Sequence, residues 1–279
     1  MIGMVAARRE ERRGWDIAAF LRGALVGLAI ASLLQTVAHA AWGGAEPLSV
    51  LWIGRFVSVT CLVLGIGFIV VEARHHSPML PLRLLGRRTL GPVALVGLFH
   101  NVAIYGLIFV LSLSLQHLAG FDPVGAGLLF LPLTVALAIG TRIGARVLRN
   151  HGPFGPLIWG HFAAAIGALV LALLAPELAP VALAPPLLVI GIGGGITTSA
   201  MNLAVLDSVA RAQSGLASGI LNTARQAGGV IGVALLGALL GEPATLTGVQ
   251  AAEFVAAGAL FVASSLALAA SKGPQAPTG

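Results

Sequence analysis

The chain has 279 residues, of which 57% are hydrophobic and 9% are charged, and its formal net charge is +6. A soluble domain normally carries about 25% charged residues, so this composition excludes a soluble globular protein. The basic residues are scattered in short connections between apolar runs, which argues against nucleic acid as a partner and favours a role in membrane topology.

Eight apolar runs follow one another, each about as long as a helix that crosses a bilayer. Lipid cannot satisfy backbone polar groups, so an open chain crosses it as helices. The sequence therefore predicts an all-α polytopic membrane protein with eight transmembrane helices. The predicted spans are about 20–42, 51–72, 92–116, 124–145, 156–175, 181–205, 216–240 and 249–270.

These spans divide the chain into five parts. We predict a cytoplasmic basic segment at 1–19, a two-helix pair at 20–72, a cytoplasmic linker at 73–91, a six-helix bundle at 92–270 and a cytoplasmic tail at 271–279. A cleaved signal peptide is the alternative for the first run, because Ala38-His39-Ala40 has the form of a cleavage site. The run is longer than the apolar region of most signal peptides, which favours a helix that stays in the membrane.

The basic residues alternate strictly between connections. The first, third, fifth and seventh connections contain no Lys or Arg. The N-terminal segment, the second, fourth and sixth connections with their helix ends, and the C-terminal tail hold Arg8, Arg9, Arg12, Arg13, Arg74, Arg83, Arg87, Arg88, Arg142, Arg146, Arg149, Arg211 and Lys272. Positive charge collects on the cytoplasmic side, so the pattern predicts an even number of spans with both termini cytoplasmic.

Polar side chains are rare in the early spans of the predicted bundle. His100 and Asn101 lie about a third of the way along the third span. An interhelical hydrogen bond is the default interpretation for such residues. His161 lies near the start of the fifth span, and we interpret it as a helix-end or interfacial residue.

Two segments are rich in glycine. Gly191–Gly195 has the look of a dinucleotide-binding loop, but it lies inside an apolar run without a strand pattern. The seventh span contains the pairs Gly215-x3-Gly219 and Gly228-x3-Gly232. Small residues at such spacing let helix backbones approach closely, so close packing is the favoured interpretation of both segments.

The seventh span also carries Asn222, Arg225 and Gln226 near its middle. At 1.5 Å per residue, Arg225 lies about 15 Å from the inner end of the helix, near the centre of a hydrocarbon core about 30 Å thick. A charge there costs about 3 kcal/mol or more unless it faces protein or water. Two interpretations remain open: Arg225 contacts a substrate or a carboxylate, or it is a structural arginine bonded to carbonyls of neighbouring helices.

The eighth span contains one carboxylate, Glu253, near its outer end. A buried carboxyl group is a possible proton site, although a side chain that reaches the membrane interface is the favoured interpretation. No Ser/His/Asp set, phosphate loop or metal-ligand spacing supports enzyme chemistry, and the lone Cys61 forms no intrachain disulfide. The sequence thus predicts no enzyme, no catalytic residue, no cofactor and no metal.

Four motifs resemble one family of transporters. Ser214–Gly237, with the sequence SGLASGILNTARQAGGVIGVALLG, resembles the penultimate helix of the 14-span drug:proton antiporters of the major facilitator superfamily. Leu111–Ala136 is similar to a helix–loop–helix of that family. Trp15-Asp16 looks like the entry to its seventh helix, and Val71–Leu85 looks like the loop before its ninth helix.

The resemblance covers nearly the whole chain but only the second part of such an antiporter. It implies that the first two spans are the family's central pair and that the last six form its C-terminal six-helix bundle. By the same resemblance, the family's N-terminal six-helix bundle, with its acidic and basic residues, is expected to have no counterpart in these 279 residues. The family's cytoplasmic loop is matched by Gly144–Pro153, which retains Arg146 and Arg149 as gating-loop candidates but has no aspartate.

The resemblance implies proton-driven export of lipophilic drugs or metabolites by alternating access in the plasma (inner) membrane. It adds His100 and Asn101 to Arg225, Gln226 and Asn222 as candidates that line a substrate cavity. The implied partners are the lipid bilayer, a small lipophilic substrate, protons and a missing N-terminal six-helix half. The alternative is a non-transporting fragment, or a half-transporter that requires an N-terminal bundle from another chain.

Overall fold

A computed structural model describes residues 89–175, 179–241 and 243–271, and within these ranges the chain is helical and contains no strand. The first two predicted spans, the 1–19 segment and the 73–88 part of the linker lie outside the described residues, as does the tail from 272. The helices are α1 Leu90–His117, α2 Pro123–Leu128, α3 Leu131–His151, α4 Phe154–Leu174, α5 Pro180–Asp207, α6 Ser214–Leu240 and α7 Leu246–Ser271.

Six helical segments of this part are long and apolar enough to cross a membrane, with α2 and α3 together forming one of them. They correspond to the last six predicted spans. Five of the six agree with the predicted bounds to within about three residues, because loops rich in Gly and Pro end the helices where the sequence indicates. The total of eight spans stays a prediction.

The fourth predicted span, 124–145, differs from the structure in two ways. It is interrupted at Leu129 and Phe130, between α2 and α3. Pro132 lies in the first turn of α3, where its missing N–H costs nothing, but it cannot continue the hydrogen bonding of a preceding helix. The other end of the span extends beyond the prediction, to His151.

Arg146 and Arg149 therefore lie on the last two turns of α3, and the prediction that they belong to a loop is wrong. Both side chains are exposed. The residues Gly144–Arg149 are compatible with a helix, and α3 ends only at Gly152, whose φ of 67° lies in the left-handed region that favours glycine.

The bundle has a repeated packing pattern. α6 packs against α1, and α3 packs against α5 in the same way. α4 contacts α5 and α7, and α7 contacts α1. Exchanging α1 with α5, α3 with α6 and α4 with α7 maps this set of contacts onto itself, which is the pattern of two three-helix repeats. α1, α4, α5 and α7 form the centre, and α3 and α6 flank it.

Glycines set the closest approaches between helices, and the packing interpretation of Gly191–Gly195 is confirmed. Gly191 and Gly195 lie against the backbone of α3, and Gly193 lies against the backbone of α4. On the equivalent side of the bundle, Gly228 and Gly232 lie against the backbone of α1. A methyl group at any of these positions would overlap main-chain atoms, so these helices meet without intervening side chains.

The outer surface of the described helices is apolar, as expected of a surface that faces lipid. Large apolar side chains that are at least half exposed include Tyr105, Val124, Leu128, Leu131, Val135, Trp159, Leu173 and Val181.

Candidate functional site

The first half of α6 carries an exposed stripe of polar and small residues. Asn222 and Gln226, four residues apart on one face of the helix, are both exposed. The same face continues toward the start of α6 with Gly215, Ser218 and Gly219, which are also exposed. A methyl group built on Gly215 or Gly219 would meet no atom within 4 Å. This half of α6 is therefore polar and unpacked, unlike the second half, where Gly228 and Gly232 pack against the backbone of α1.

Arg225 lies at the border between this stripe and the interior, and it is partly buried. Its aliphatic stem covers Gly97 of α1: a methyl group at Gly97 would lie 3.0 Å from Cγ of Arg225 and 3.7 Å from its Cδ. The absence of a side chain at Gly97 thus makes room for the arginine. Within the described residues, no hydrogen bond or ion pair holds its guanidinium group, so the carbonyl contacts of the structural interpretation are not seen there.

His100 and Asn101 lie inside the bundle. Their side chains are 4% and 3% exposed, so neither lines an open surface in this structure. The ring of His100 packs against that of His161, and Arg225 covers Gly97, about one turn before His100 on α1. Its Nδ1 has no hydrogen-bond partner among the described residues. The interhelical hydrogen bond expected as the default is therefore not observed for this atom.

The interpretation of His161 as a helix-end or interfacial residue is wrong. The side chain is fully buried, eight residues into α4. Its Nδ1 lies 2.8 Å from the carbonyl oxygen of Leu157, one turn earlier. Its ring meets that of His100 edge to face, with 5.2 Å between ring centroids and an angle of 88° between the planes. α4 turns this residue toward α1 rather than toward the interface.

The favoured interpretation of Glu253 is also wrong, because the side chain does not reach the interface. Glu253 lies eight residues into α7 and is 0% exposed. Neither carboxylate oxygen has a hydrogen-bond partner in the described part of the chain. Its neighbours along the helix, Ala252 and Ala256, belong to the apolar core, so Glu253 is a buried carboxyl group among small apolar side chains.

The structure therefore distributes the predicted candidates over four helices. Arg225, Asn222 and Gln226 lie on the first half of α6. His100 lies beside them, in the interior, with Asn101 next to it in the chain. Glu253 lies near the start of α7, and Arg146 and Arg149 lie near the end of α3. In the ranges that the structure covers, no three metal-ligating side chains come together.

Comparison with known proteins places this arrangement in a family. The model of the Major Facilitator Superfamily matches residues 1–233, more than half of the chain. The chain belongs to the Major Facilitator Superfamily. The family consists of membrane transporters, which agrees with the six helical segments that are long and apolar enough to cross a membrane and with the prediction that the chain is not an enzyme.

Relatives of this Major Facilitator chain include proteins named for drug resistance and export. The puromycin resistance protein pur8 of Streptomyces alboniger is 32% identical over 242 residues, which cover 85% of this chain and 47% of the relative. The cephamycin export protein CmcT of Amycolatopsis lactamdurans is 34% identical over 174 residues, 61% of this chain and 36% of the relative. The multidrug efflux pump LfrA of Mycolicibacterium smegmatis is 29% identical over 178 residues, 64% of this chain and 35% of the relative.

This Major Facilitator chain spans about half, or less, of the length of the curated relatives it matches. The match agrees with the resemblance to drug:proton antiporters that the motifs indicate, and with an assignment to their C-terminal part. Of the helices that carry candidate residues, α1 and α3 lie within the region matched by the family model and α6 lies partly within it, whereas α7, which carries Glu253, lies outside it.

Sequence reasoning missed the pairing of His100 with His161. The signal was available in the helix starts: His100 lies eleven residues into α1, and His161 lies eight residues into α4. Arginines lie shortly before the start of both helices, so the positive-inside rule places the two starts, and with them the two histidines, on the same side of the membrane. What the sequence did not show is that α1 and α4 turn these residues toward each other.

Proposed function

We propose that the chain is the C-terminal part of a proton-driven efflux transporter for lipophilic drugs or metabolites in the plasma (inner) membrane. One observation carries the proposal: Arg225 lies deep in a membrane-spanning helix, beside the exposed Asn222 and Gln226. A polar stripe at this depth is costly in lipid and is tolerated against protein or water. The names of the relatives support drug-like compounds as the substrate class.

The exposed stripe also supports a protein partner. The glycines Gly215 and Gly219 present bare backbone, which allows another helix to approach closely. A second six-helix half that covers this stripe would enclose Arg225, Asn222 and Gln226 between two bundles. Alternating access would then arise from rocking of the two halves around this central site.

Glu253 is the proposed proton-binding carboxyl group. It is the one acidic residue inside the six described spans that is buried without a hydrogen-bond donor. When protonated, such a group carries no charge through the apolar core, and releasing the proton restores a carboxylate. The net step is the uptake and release of one proton at a carboxylate oxygen.

The second candidate function is a non-transporting fragment or a half-transporter that depends on another chain. The same exposed stripe favours it, because a single bundle would present Asn222 and Gln226 to lipid. The two candidates differ in whether an N-terminal half restores transport.

Co-expression tests the proposal. The chain is produced with the N-terminal six-helix half of the puromycin resistance relative in a bacterial strain that lacks its own efflux pumps, and ethidium efflux and co-purification are measured. We expect efflux that requires both halves and stops when an uncoupler removes the proton gradient. Arg225→Ala should lower the efflux rate by about tenfold, the equivalent of one charge-assisted contact.

Arg211→Ala is the matched control, because Arg211 is exposed in the turn before α6. It should leave both efflux and membrane abundance unchanged. Equal loss of abundance and efflux in Arg225→Ala would make Arg225 structural. Stable co-purification of the two halves without any efflux would favour the non-transporting alternative.

A further inference from the structure

One face of α3 carries three arginines that the proposed transport cycle does not use. Arg142, Arg146 and Arg149 follow one another at spacings of four and three residues, so they lie in one row along the helix. All three side chains are exposed. The row is about 10 Å long at 1.5 Å per residue, and these three residues are called the arginine row below.

The arginine row faces away from α5, the main packing partner of α3. Gly140 and Gly144 pack against the backbone of α5 at Ile192 and Ile196. Arg142 lies two residues from each glycine, and two residues turn an α-helix by about 200°. The packed side of α3 and the arginine row are therefore on opposite sides of the helix.

The charge of the row is not neutralised by the residues that the structure describes. Among them, none forms a hydrogen bond or an ion pair with any of the three guanidinium groups. Asp207 ends α5 but is not paired with the row. The other carboxylates of the described ranges are Asp122, before α2, and Glu253, buried in α7. An anionic partner for the row must therefore come from outside the described residues.

The row reaches the depth at which a membrane meets water. A short connection joins α3 to α4. Trp159, five residues after the start of α4, is 70% exposed, and tryptophan is enriched at membrane interfaces. Counted back from the same connection, Arg146 lies at a similar depth, about 8 Å from the end of α3, and Arg149 lies closer to the end. Arg142 lies about 6 Å deeper than Arg146, which an arginine side chain can span by extending toward the surface.

The same face of α3 is apolar on the other side of Arg142. Leu131 and Val135 are 52% and 54% exposed, and Ala138 is exposed as well. Val135 lies seven residues before Arg142, about two helical turns away on the same face. This face thus has an apolar part toward the middle of the membrane and a basic part at the surface. The acyl chains and the phosphate of a phospholipid have the same order.

We propose that the arginine row binds the phosphate of an anionic phospholipid such as phosphatidylglycerol, whose acyl chains lie along Leu131 and Val135. Planar guanidinium groups donate paired hydrogen bonds to phosphate oxygens. Phosphatidylglycerol carries no positive group, whereas phosphatidylcholine would place its choline among three guanidinium groups. The row therefore selects anionic over zwitterionic lipids, and this site does not rest on the proposed efflux function.

A lipid site differs from the general attraction between basic residues and an anionic membrane because it depends on position. Arg211 is the matched control: it is exposed, it carries the same charge, and it lies in the turn before α6 rather than on α3. General attraction predicts equal effects of Arg146→Gln and Arg211→Gln. The proposed site predicts an effect of Arg146→Gln alone.

Native mass spectrometry of the full chain tests the proposal. The chain is reconstituted into nanodiscs with equal amounts of phosphatidylglycerol and phosphatidylcholine that have identical acyl chains, and the lipids that stay bound after its release are counted. We expect the chain to retain phosphatidylglycerol in preference to phosphatidylcholine. Arg146→Gln should lower the ratio of the two bound lipids about fivefold, the contribution of one basic residue near an anionic lipid surface. The triple variant Arg142→Gln, Arg146→Gln, Arg149→Gln should abolish the preference, and Arg211→Gln should leave it unchanged.

Equal retention of the two lipids by the unaltered chain would overturn the proposal, and this outcome requires no variant to fold. Equal losses of preference in Arg146→Gln and Arg211→Gln would also overturn it, because they would show general surface charge. Selective retention of phosphatidylglycerol that depends on the row, without ethidium efflux, would keep the lipid site and reject only the efflux proposal.

Discussion

Single residues in this bundle show that depth along a helix and rotation about its axis have separate consequences. Gln226 and Glu253 are both polar and both lie inside spans, but Gln226 is exposed whereas Glu253 is fully buried. Depth fixes the cost of placing a polar group in the membrane. Rotation decides whether the group meets a neighbouring helix, the lipid or a partner.

Glu253→Gln should separate a structural from a proton-binding role. Glutamine has nearly the same size as glutamate, but its amide group does not take up a proton near neutral pH. No described residue donates a hydrogen bond to the carboxylate of Glu253, so the substitution breaks no hydrogen bond. We expect unchanged membrane abundance and a loss of proton-driven efflux in the co-expressed pair of halves. Asp207→Asn, which alters an exposed carboxylate at the end of α5, should change neither quantity. Full pH-dependent efflux by Glu253→Gln would refute the proton-site proposal.

At the scale of helices, α6 has two halves with different surroundings. Its second half packs closely: a methyl group on Gly228 would lie 2.8 Å and 2.9 Å from the backbone carbons of Leu98. Its first half leaves Gly219 with nothing within 4 Å. The second half of α6 thus packs closely against α1, whereas its first half leaves a surface open for another element.

Gly228→Ala and Gly219→Ala form a matched pair that tests this difference. Gly228→Ala forces α6 away from α1 and should destabilise the bundle by about 1–3 kcal/mol, as overpacking does elsewhere. Gly219→Ala meets no obstacle and should be neutral or stabilising by up to about 1 kcal/mol, because alanine favours the helix. The thermal unfolding midpoint of the full chain, followed by circular dichroism, measures both. Equal destabilisation by the two substitutions would contradict the packing assigned to α6.

The break between α2 and α3 shows where an apolar run misleads. The run 124–145 satisfies the length and composition of one span, yet Leu129 and Phe130 interrupt the helix before Pro132. Hydropathy reports how apolar a segment is and does not report whether its backbone is continuous. The proline was visible in the sequence, but a helix accepts proline in its first turn, so its effect depended on where α3 begins.

At the scale of the whole molecule, the alternation of arginines along the chain agrees with the packing of the bundle as two three-helix units. Each short connection reverses the chain. α1, α4 and α6 start after connections that carry positive charge, themselves or on the end of the preceding helix, while α2, α5 and α7 start after connections without it. The positive-inside rule then assigns the starts of α1, α4 and α6 to the cytoplasm.

Reporter fusions test this orientation. A fusion at Gly152, between α3 and α4, should be active only as a cytoplasmic reporter, and a fusion at Gly120, between α1 and α2, only as an external one. Alkaline phosphatase and green fluorescent protein at each position measure the two outcomes, because phosphatase is active outside and the fluorescent protein inside. The reverse pattern would overturn the predicted topology and the cytoplasmic placement of both termini.

The sequence by itself determined the membrane class, the six described spans and the polar residues inside them. These follow from the length of apolar runs, from glycine and proline at helix ends, and from the cost of charge in lipid, all of which are local. The motif of α6 also led to the family, which the match over residues 1–233 confirms.

Only the tertiary structure decided which face of each helix is buried. A membrane helix is apolar on its lipid side as well as on its packed side, so hydrophobic periodicity does not distinguish the two. His161 and Glu253 therefore looked interfacial in the sequence, whereas contacts with other helices bury them. The meeting of His100 with His161, and the fit of Arg225 over Gly97, arise only when the helices pack together.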